Sequence, residues 1–563
     1  MSAALSHVVG ATTPALREDT IGQALDAAAR RWGDREALVS AHQGVRWTYA
    51  ELASRAESLA AGFLALGLQP GDRIGVWSPN NAEWTLTQFA AAKAGLILVT
   101  INPAYRTAEL EYTLNKVGVR ALVAAEQFKT SAYAEMVEFL APEILTLGAQ
   151  PLRPTRLPTL ERVIKIGGGP RPGWTPFDAV PELGGPEERR VLEALATSLS
   201  CRDPINIQFT SGTTGLPKGA TLSHRNILNN GFFVGEALGL KEGDRLCIPV
   251  PLYHCFGMVM GNLGCLTHGA TMVYPSEGFD AGAVLEVVQA ERCTGLFGVP
   301  TMFIAELAHP DFASFDLSFL STGCMAGSPC PVEVMRQVTE RMHMKDVTIA
   351  YGMTETSPVS FQSCGDDPLA RRVSTVGRVQ PHLQCKVVDG DGRTVARGEP
   401  GQLLTRGYSV MLGYWDDPAH TAEAIDTEGW MHTGDLAIID DEGYGAIVGR
   451  IKDMVIRGGE NVYPREIEEF LYAHPKIEDV AVVGVPDPRF GEELCAWVRL
   501  RPGETASEDE VIGFCRGRIA HYKIPRYVRF VDALPMTVTG KVRKFEIREV
   551  MILELGLRAE TTA

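Results

Sequence analysis

Residues 205–224 read INIQFTSGTTGLPKGATLSH. Ile205, Ile207 and Phe209 alternate with polar residues, the pattern of a half-buried strand. Gly212, Gly215 and Gly219 then punctuate a run of hydroxyls, Thr210, Ser211, Thr213 and Thr214, around one cation, Lys218. Ser223 opens a helical pattern that carries Ile227, Gly231, Val234 and Leu238 on one face. A glycine- and hydroxyl-rich loop therefore hangs from the end of a strand and precedes a helix. In an open α/β sheet that edge is where ligands gather. Glycines let backbone N–H groups approach an anion closely, hydroxyls add donors, and a lysine adds a point charge suited to phosphate. The loop does not follow GxxxxGK[ST], because Lys218 follows Pro217 and precedes Gly219. The pattern predicts a phosphate loop of another kind.

The surrounding sequence supports a helix-covered sheet. TYAELASRAESLAAGFLALGLQPGD opens with a capping box, Thr48 with Glu51. It continues with Leu52, Ala56, Leu59 and Phe63 at helical spacing, and Gly67 and Pro70 close it. RIGVWS, LILVTIN and ATMVYP read as short buried strands that alternate with helical patterns, which implies a mostly parallel sheet. Near residue 385, CKVVDGDGRTVARGEPGQLLTRG turns to short strands with turn glycines. A second change comes at GRIKDMVIRGGENVYPREIEEFLYAHPKIEDVAVVGVPD. There Pro464 opens a helix with Ile467, Phe470 and Leu471 inward, and VAVVGV reads as a buried strand. The expected class is α/β. A large N-terminal domain of mostly parallel sheets with a small β-rich part would span 1–449. A joint would cover 450–453, and a small mobile α+β domain 454–563.

Composition narrows the functions. The 563 residues exceed one ordinary domain. A net charge of −16 disfavours a general nucleic-acid or anionic-membrane binder. One window departs from this balance: Arg516 to Lys544 carries eight Lys or Arg against the single acid Asp532, a net of +7, as a site for a polyphosphate ligand would. No apolar run approaches the ~18 residues that span a bilayer, and the longest, around Ala90 to Ile101, is broken by Lys93. The N-terminus lacks the charged and apolar regions of a secretion signal and is not Arg-rich, so the expected compartment is the cytoplasm. None of the eleven cysteines has metal-ligand spacing, and they read as reduced apolar fillers.

The order of residues says more than their kinds. TSGTTGLPKGATLSH resembles the signature of the adenylate-forming enzymes: acyl-CoA synthetases, luciferases and peptide-synthetase adenylation domains. YGMTETS from Tyr351, GWMHTGD ending at Asp435, GRIKDMVIRGGENVYPREIEE from Gly449 and PMTVTGKVRK around Lys541 follow in the family's order. The resemblance covers about residues 20 to 550. GGENVYPREIE and EQFKTSAYAEM look most like acyl-CoA synthetases of the medium-chain fatty acid type.

That resemblance implies two half-reactions. A carboxylate attacks the α-phosphorus of ATP and displaces pyrophosphate, and the thiol of coenzyme A then takes the acyl group and releases AMP. It also implies roles. Thr210, Ser211, Gly212, Thr213, Thr214, Gly215 and Lys218 would hold the β- and γ-phosphates. Glu355 would bind Mg²⁺, Thr354 would contact the α-phosphate, and Lys541 would bridge the carboxylate and α-phosphate oxygens. Asp435, assisted by Arg450, would take the ribose hydroxyls. Gly327, Ser328 and Pro329 would face the adenine, with Tyr351 stacking and Gly352 beside it. The acyl pocket would draw on Phe232, His254, Met258, Val299, Met302, Cys324, Met325 and Met353. These are mostly apolar, so they suit a plain aliphatic or simple aryl acid, because an unpaired second polar group would cost several kcal/mol to bury. Lys452 and Asp453 would mark the hinge, with Gly458 and Gly459 on the coenzyme A side. Other readings stay open: a small or aryl acid ligase, an acyl-AMP ligase with a protein acceptor, and a non-catalytic nucleotide-binding protein. A homodimer and a weak peripheral membrane contact are also left open.

Overall fold

The structure is a computed structural model that describes residues 4–146, 151–210, 216–328, 330–458, 460–537 and 540–557. The candidate residues Ser211, Gly212, Thr213, Thr214, Gly215, Pro329 and Gly459 lie outside them.

The helix Tyr49–Ala65 begins where the capping box requires: the Thr48 hydroxyl accepts from the Glu51 N–H at 3.2 Å, and the Glu51 carboxylate accepts from the Thr48 N–H at 2.8 Å. Leu52, Ala56, Leu59 and Phe63 are fully buried, so the 3.6-residue period identified the inward face. Strands Arg73–Trp77, Ile97–Thr100, Val119–Ala125 and Arg162–Ile166 lie parallel in an eight-stranded sheet. Strand Pro204–Thr210 joins it parallel to Ile97–Thr100, with Leu98 opposite Asn206.

Two features of the phosphate-loop region differ from expectation. Strand Pro204–Thr210 is buried on both faces rather than one. Its polar side survives burial because Asn206 Nδ2 donates to the Leu98 carbonyl at 2.9 Å, and Gln208 Nε2 to Asn206 Oδ1 at 2.8 Å. The loop also leads first into an antiparallel strand, Lys218–Ser223, and only then into helix His224–Leu238, which Ser223 caps. Lys218 pairs with Thr210 and Gly219 with Phe209. A β-carbon on Gly219 would stand 2.9 Å from Ile207 Cγ2, so this strand needs its glycine.

A nine-stranded sheet packs beside the first. Its centre runs parallel through Asp346–Gly352, Thr322–Ala326, Gly295–Gly298, Arg245–Cys247, Thr271–Tyr274 and Glu36–Ser40. A five-stranded antiparallel sheet follows: His7–Val9, Leu383–Val388, Gly401–Gly407, Met431–Ile439 and Gly445–Arg450. The last sheet holds Glu460–Val462, Val455–Arg457, Gly491–Leu500, Ile477–Asp487 and Tyr527–Phe530. Helix Pro464–Tyr472 covers it with Ile467 and Leu471 buried and Phe470 partly so. The architecture is α/β, with a large N-terminal part of mostly parallel sheets, a β-rich part and an α+β C-terminal part.

The C-terminal part touches the rest at discrete points. Arg465 Nη1 donates to the Ile447 carbonyl at 2.8 Å, and helix Pro464–Tyr472 packs beside strand Gly445–Arg450. No helix among the described residues is long and apolar enough to cross a membrane. All eleven cysteines are unpaired; ten are buried and Cys364 is exposed.

Candidate active site

Thr210 ends one strand and Lys218 begins the next, so the connection brings both to the carboxyl edge of the eight-stranded sheet. Glu355 arrives from the second sheet, on the turn Thr354–Thr356 after strand Asp346–Gly352. That turn folds tightly over Gly352, where a β-carbon would fall 1.7 Å from the Pro358 carbonyl oxygen; only glycine fits. The Glu355 side chain is 5 % exposed. Its Oε1 accepts from Thr210 Oγ1 at 3.0 Å and from the Tyr414 hydroxyl at 2.9 Å. Among the described residues nothing donates to Oε2. Lys218 Nζ lies 5.1 Å from the centroid of the same Tyr414 ring.

The described residues hold no group of three or more His, Cys, Asp or Glu able to bind a metal. A single carboxylate with one oxygen unengaged suits Mg²⁺, a hard cation that keeps waters and shares substrate phosphates rather than needing a protein cage.

Asp435 lies on strand Met431–Ile439, directly opposite Arg450 on its antiparallel neighbour. The carboxylate takes Arg450 Nε at 2.9 Å on Oδ1 and the Tyr351 hydroxyl at 2.6 Å on Oδ2. Burial and the facing carboxylate push the Tyr351 phenol well above its ordinary value, so it remains a donor. Gly327 has φ +88 and Ser328 follows it. Lys452 and Asp453 lie in the turn after Arg450, where the Asp453 N–H donates to the Arg450 carbonyl at 3.1 Å. Gly458 has φ +61, and its N–H donates to the Phe490 carbonyl at 2.8 Å.

Lys541 comes from the C-terminal part on a turn in which its N–H donates to Thr537 Oγ1 at 3.0 Å and its carbonyl accepts from the Thr537 N–H at 2.8 Å. The side chain enters a narrow cavity with His254, Phe256, Val299 and Gly327 in its walls. Burial and then the Arg450 charge push its pKa below the ordinary 10.5, while Cys255, Glu355 and Asp435 act against them. His254 Nδ1 accepts the Phe256 N–H at 3.2 Å, which puts the ring proton on Nε2. Burial and then Lys541 lower the imidazole pKa to about 3, so His254 is neutral and not a base at pH 7. Thr354 is buried, with its hydroxyl 3.9 Å from the Cys255 sulfur.

Met258, Val299, Met302 and Cys324 share one core with Phe256 and Phe297, and Met353 packs at its edge. Two proposed pocket residues do not join them. Met325 faces the opposite side of strand Thr322–Ala326, in the core with Met335 and Val338, because neighbours on a strand point to opposite faces. Phe232 lies on the outer side of its helix, stacked on His268 at 5.4 Å with the Arg17 guanidinium 5.9 Å from its ring. Tyr414 is the residue that sequence reasoning missed. Its only local signal is the GYWDDP turn, where Asp417 caps helix Pro418–Ala424.

Comparison with known proteins agrees with this geometry. A family model of AMP-binding enzymes matches residues 25–415, and one of the AMP-binding enzyme C-terminal domain matches 466–541. The chain is 47% identical over 561 residues to the human medium-chain acyl-CoA ligase ACSF2, mitochondrial, covering 98% of this chain and 91% of the relative. The zebrafish (Danio rerio) protein of that name is 47% identical over 555 residues, with coverage of 98% and 91%. Among solved structures, an anthranilate CoA ligase, AuaEII, in complex with anthranoyl-AMP superposes with TM-score 0.85 at 27% identity, covering 96% of this chain and 98% of that one. A fatty acyl CoA synthetase of Mycobacterium tuberculosis superposes with TM-score 0.69 at 28% identity, covering 95% and 99%. The chain belongs to the family of AMP-binding enzymes.

Proposed function

We propose that the protein is an ATP-dependent acid–CoA ligase that activates a medium-chain fatty acid as its acyl-AMP and passes the acyl group to coenzyme A. One observation carries this reading: a lysine from the C-terminal part, Lys541, occupies the cavity beside His254 and Val299, within electrostatic reach of both Glu355 and Asp435. The names of the vertebrate relatives support the medium-chain acid, as does the apolar company of Met258, Val299, Met302 and Cys324.

The acid needs no base, because it is ionised at pH 7. Its oxygen attacks the α-phosphorus, and pyrophosphate leaves. The chain's task is to hold the two anions together and to neutralise charge as it builds. Lys218 and Thr210 hold the outer phosphates, Thr354 the α-phosphate, and Asp435 with Arg450 the ribose. Gly327, Ser328 and Gly352 border the base. Tyr351 fixes Asp435 through its hydroxyl in addition to any stacking. Lys541 spans the carboxylate and α-phosphate oxygens. Glu355 would hold Mg²⁺, which supplies charge neutralisation to the phosphates when bound. His254 offers an Nε2–H donor toward the acyl carboxyl. In the second half-reaction the thiol sulfur attacks the acyl carbon and AMP leaves. Residues 450–453, with Lys452 and Asp453, are the proposed hinge for withdrawing Lys541, with Gly458 on the thiol side. The proposed compartment is the cytoplasm; the vertebrate relatives are named mitochondrial, and cell fractionation decides between the two.

The test is pyrophosphate release from ATP across aliphatic and aryl carboxylic acids, with and without coenzyme A. The reading expects release that depends on a medium-chain acid, and thioester and AMP only once coenzyme A is added. An aryl acid is the second reading, favoured by the anthranoyl-AMP in a solved neighbour. Acid-dependent release without any thioester overturns the coenzyme A half.

A further inference from the structure

Tyr414 stands between the two phosphate-side groups and belongs to none of the motifs that identify them. It lies on the two-residue strand Gly413–Tyr414, which pairs antiparallel with Lys218–Ser223 so that Tyr414 faces Ala220. Its neighbours lock it there. The Trp415 N–H donates to the Gly219 carbonyl at 2.8 Å, and the Tyr414 N–H donates to Thr421 Oγ1 at 2.9 Å. From that place the phenol donates to Glu355 Oε1 at 2.9 Å, while the face of the ring takes the Lys218 ammonium at 5.1 Å. Thr210 supplies a second hydroxyl to the same oxygen at 3.0 Å. Both donors engage Oε1, and among the described residues none donates to Oε2.

We infer that Tyr414 is a positioning residue of the nucleotide site: its hydroxyl aims the Glu355 carboxylate at the phosphate-bound cation, and its ring seats the Lys218 ammonium against the phosphates. The inference rests on the proposed role of Glu355. It differs from direct catalysis because Tyr414 acts only through these two side chains. Partners that orient a metal-binding group in this way commonly change metal affinity by about 10- to 100-fold when removed.

The test separates ring from hydroxyl without relying on turnover. Mn²⁺ is titrated into the full chain with a non-hydrolysable ATP analogue and followed by electron paramagnetic resonance; binding of the analogue without metal is measured beside it. Tyr414→Phe should weaken Mn²⁺ binding about tenfold and leave metal-free analogue binding unchanged, because the ring stays. Tyr414→Leu should in addition weaken metal-free analogue binding about threefold, the contribution of the lost cation–π contact. Glu355→Gln is the reference. If it weakens Mn²⁺ binding and Tyr414→Phe does not, the positioning role falls and the Glu355 reading stands. If Glu355→Gln has no effect, that reading falls and this inference with it. If Tyr414→Phe lowers metal binding, metal-free binding and thermal midpoint together, the residue is only structural and the inference is overturned.

Discussion

Glu355 and Asp435 each receive two hydrogen bonds from side chains of the body, at 2.6 to 3.0 Å. Lys541 reaches the same site on a turn braced by its own segment, through Thr537. Asp435 stands within strand Met431–Ile439 and Glu355 on the turn after strand Asp346–Gly352, and each takes its donors from other strands. The lysine belongs to a part that meets the body through such contacts as Arg465 with Ile447. The difference separates two tasks. Under the proposed function, groups that would hold a nucleotide through both half-reactions are built into the body, whereas the group proposed for only one is delivered by the C-terminal part.

Removing the delivered group should break this contrast most sharply. Lys541→Ala is expected to lower acyl-AMP formation by about 10²- to 10³-fold, the scale of losing one transition-state charge partner. Thioester formation from supplied acyl-AMP should change little. Comparing isotope exchange between pyrophosphate and ATP with consumption of acyl-AMP checks both halves, and equal loss in both would erase the distinction.

Delivery can also be disturbed with the lysine kept. Gly540 has φ +75, and a β-carbon there would stand 2.7 Å from Val299 Cγ2. Gly540→Ala should therefore lower acyl-AMP formation about tenfold, from roughly 1–3 kcal/mol of strain at a left-handed residue. The same two assays report it, and a body that unfolds no earlier in a thermal scan assigns the loss to docking.

The smallest effect is in the pH profile. In the proposed mechanism the charged form of Lys541 bridges the anions, whereas burial with the Arg450 charge favours its neutral form. Its proton is therefore lost below the ordinary 10.5, and acyl-AMP formation should fall on an alkaline limb beneath that value. Arg450→Gln should move the limb upward. His254, neutral above about 3, should add no limb near pH 6.5, so His254→Gln should leave the acidic side of the profile in place.

The sequence was most legible where local rules decide the outcome. The Thr48 and Glu51 capping box, the inward face of the next helix and the short strands from Arg73 onward follow from periodicity and caps. Lys218, Glu355, Asp435 and Lys541 stood out as candidates because ordered motifs carry them. What was not legible depends on pairing over long distances. Tyr414 acquires its position beside Glu355 and Lys218 from a strand partner almost two hundred positions away, which no local pattern announces. Strand Lys218–Ser223 hid behind its glycine and hydroxyls, although Ala220 and Leu222 alternate as a strand requires. Met325 was avoidable: with Cys324 facing one core, the strand's two-residue period already turned its neighbour away. Phe232 needed the phase of its helix, which apolarity at Phe232 and Phe233 together left ambiguous.

The burial of ten cysteines beside one exposed thiol has a practical use. A maleimide added to the folded chain should titrate one equivalent, at Cys364. Cys495 and Cys515 are the two thiols beyond residue 453, so opening of that unit alone should raise the count to three, and full denaturation to eleven. The number of alkylated sulfurs, read by intact mass during a denaturant series, is then a gauge built into the chain of which part has come apart first.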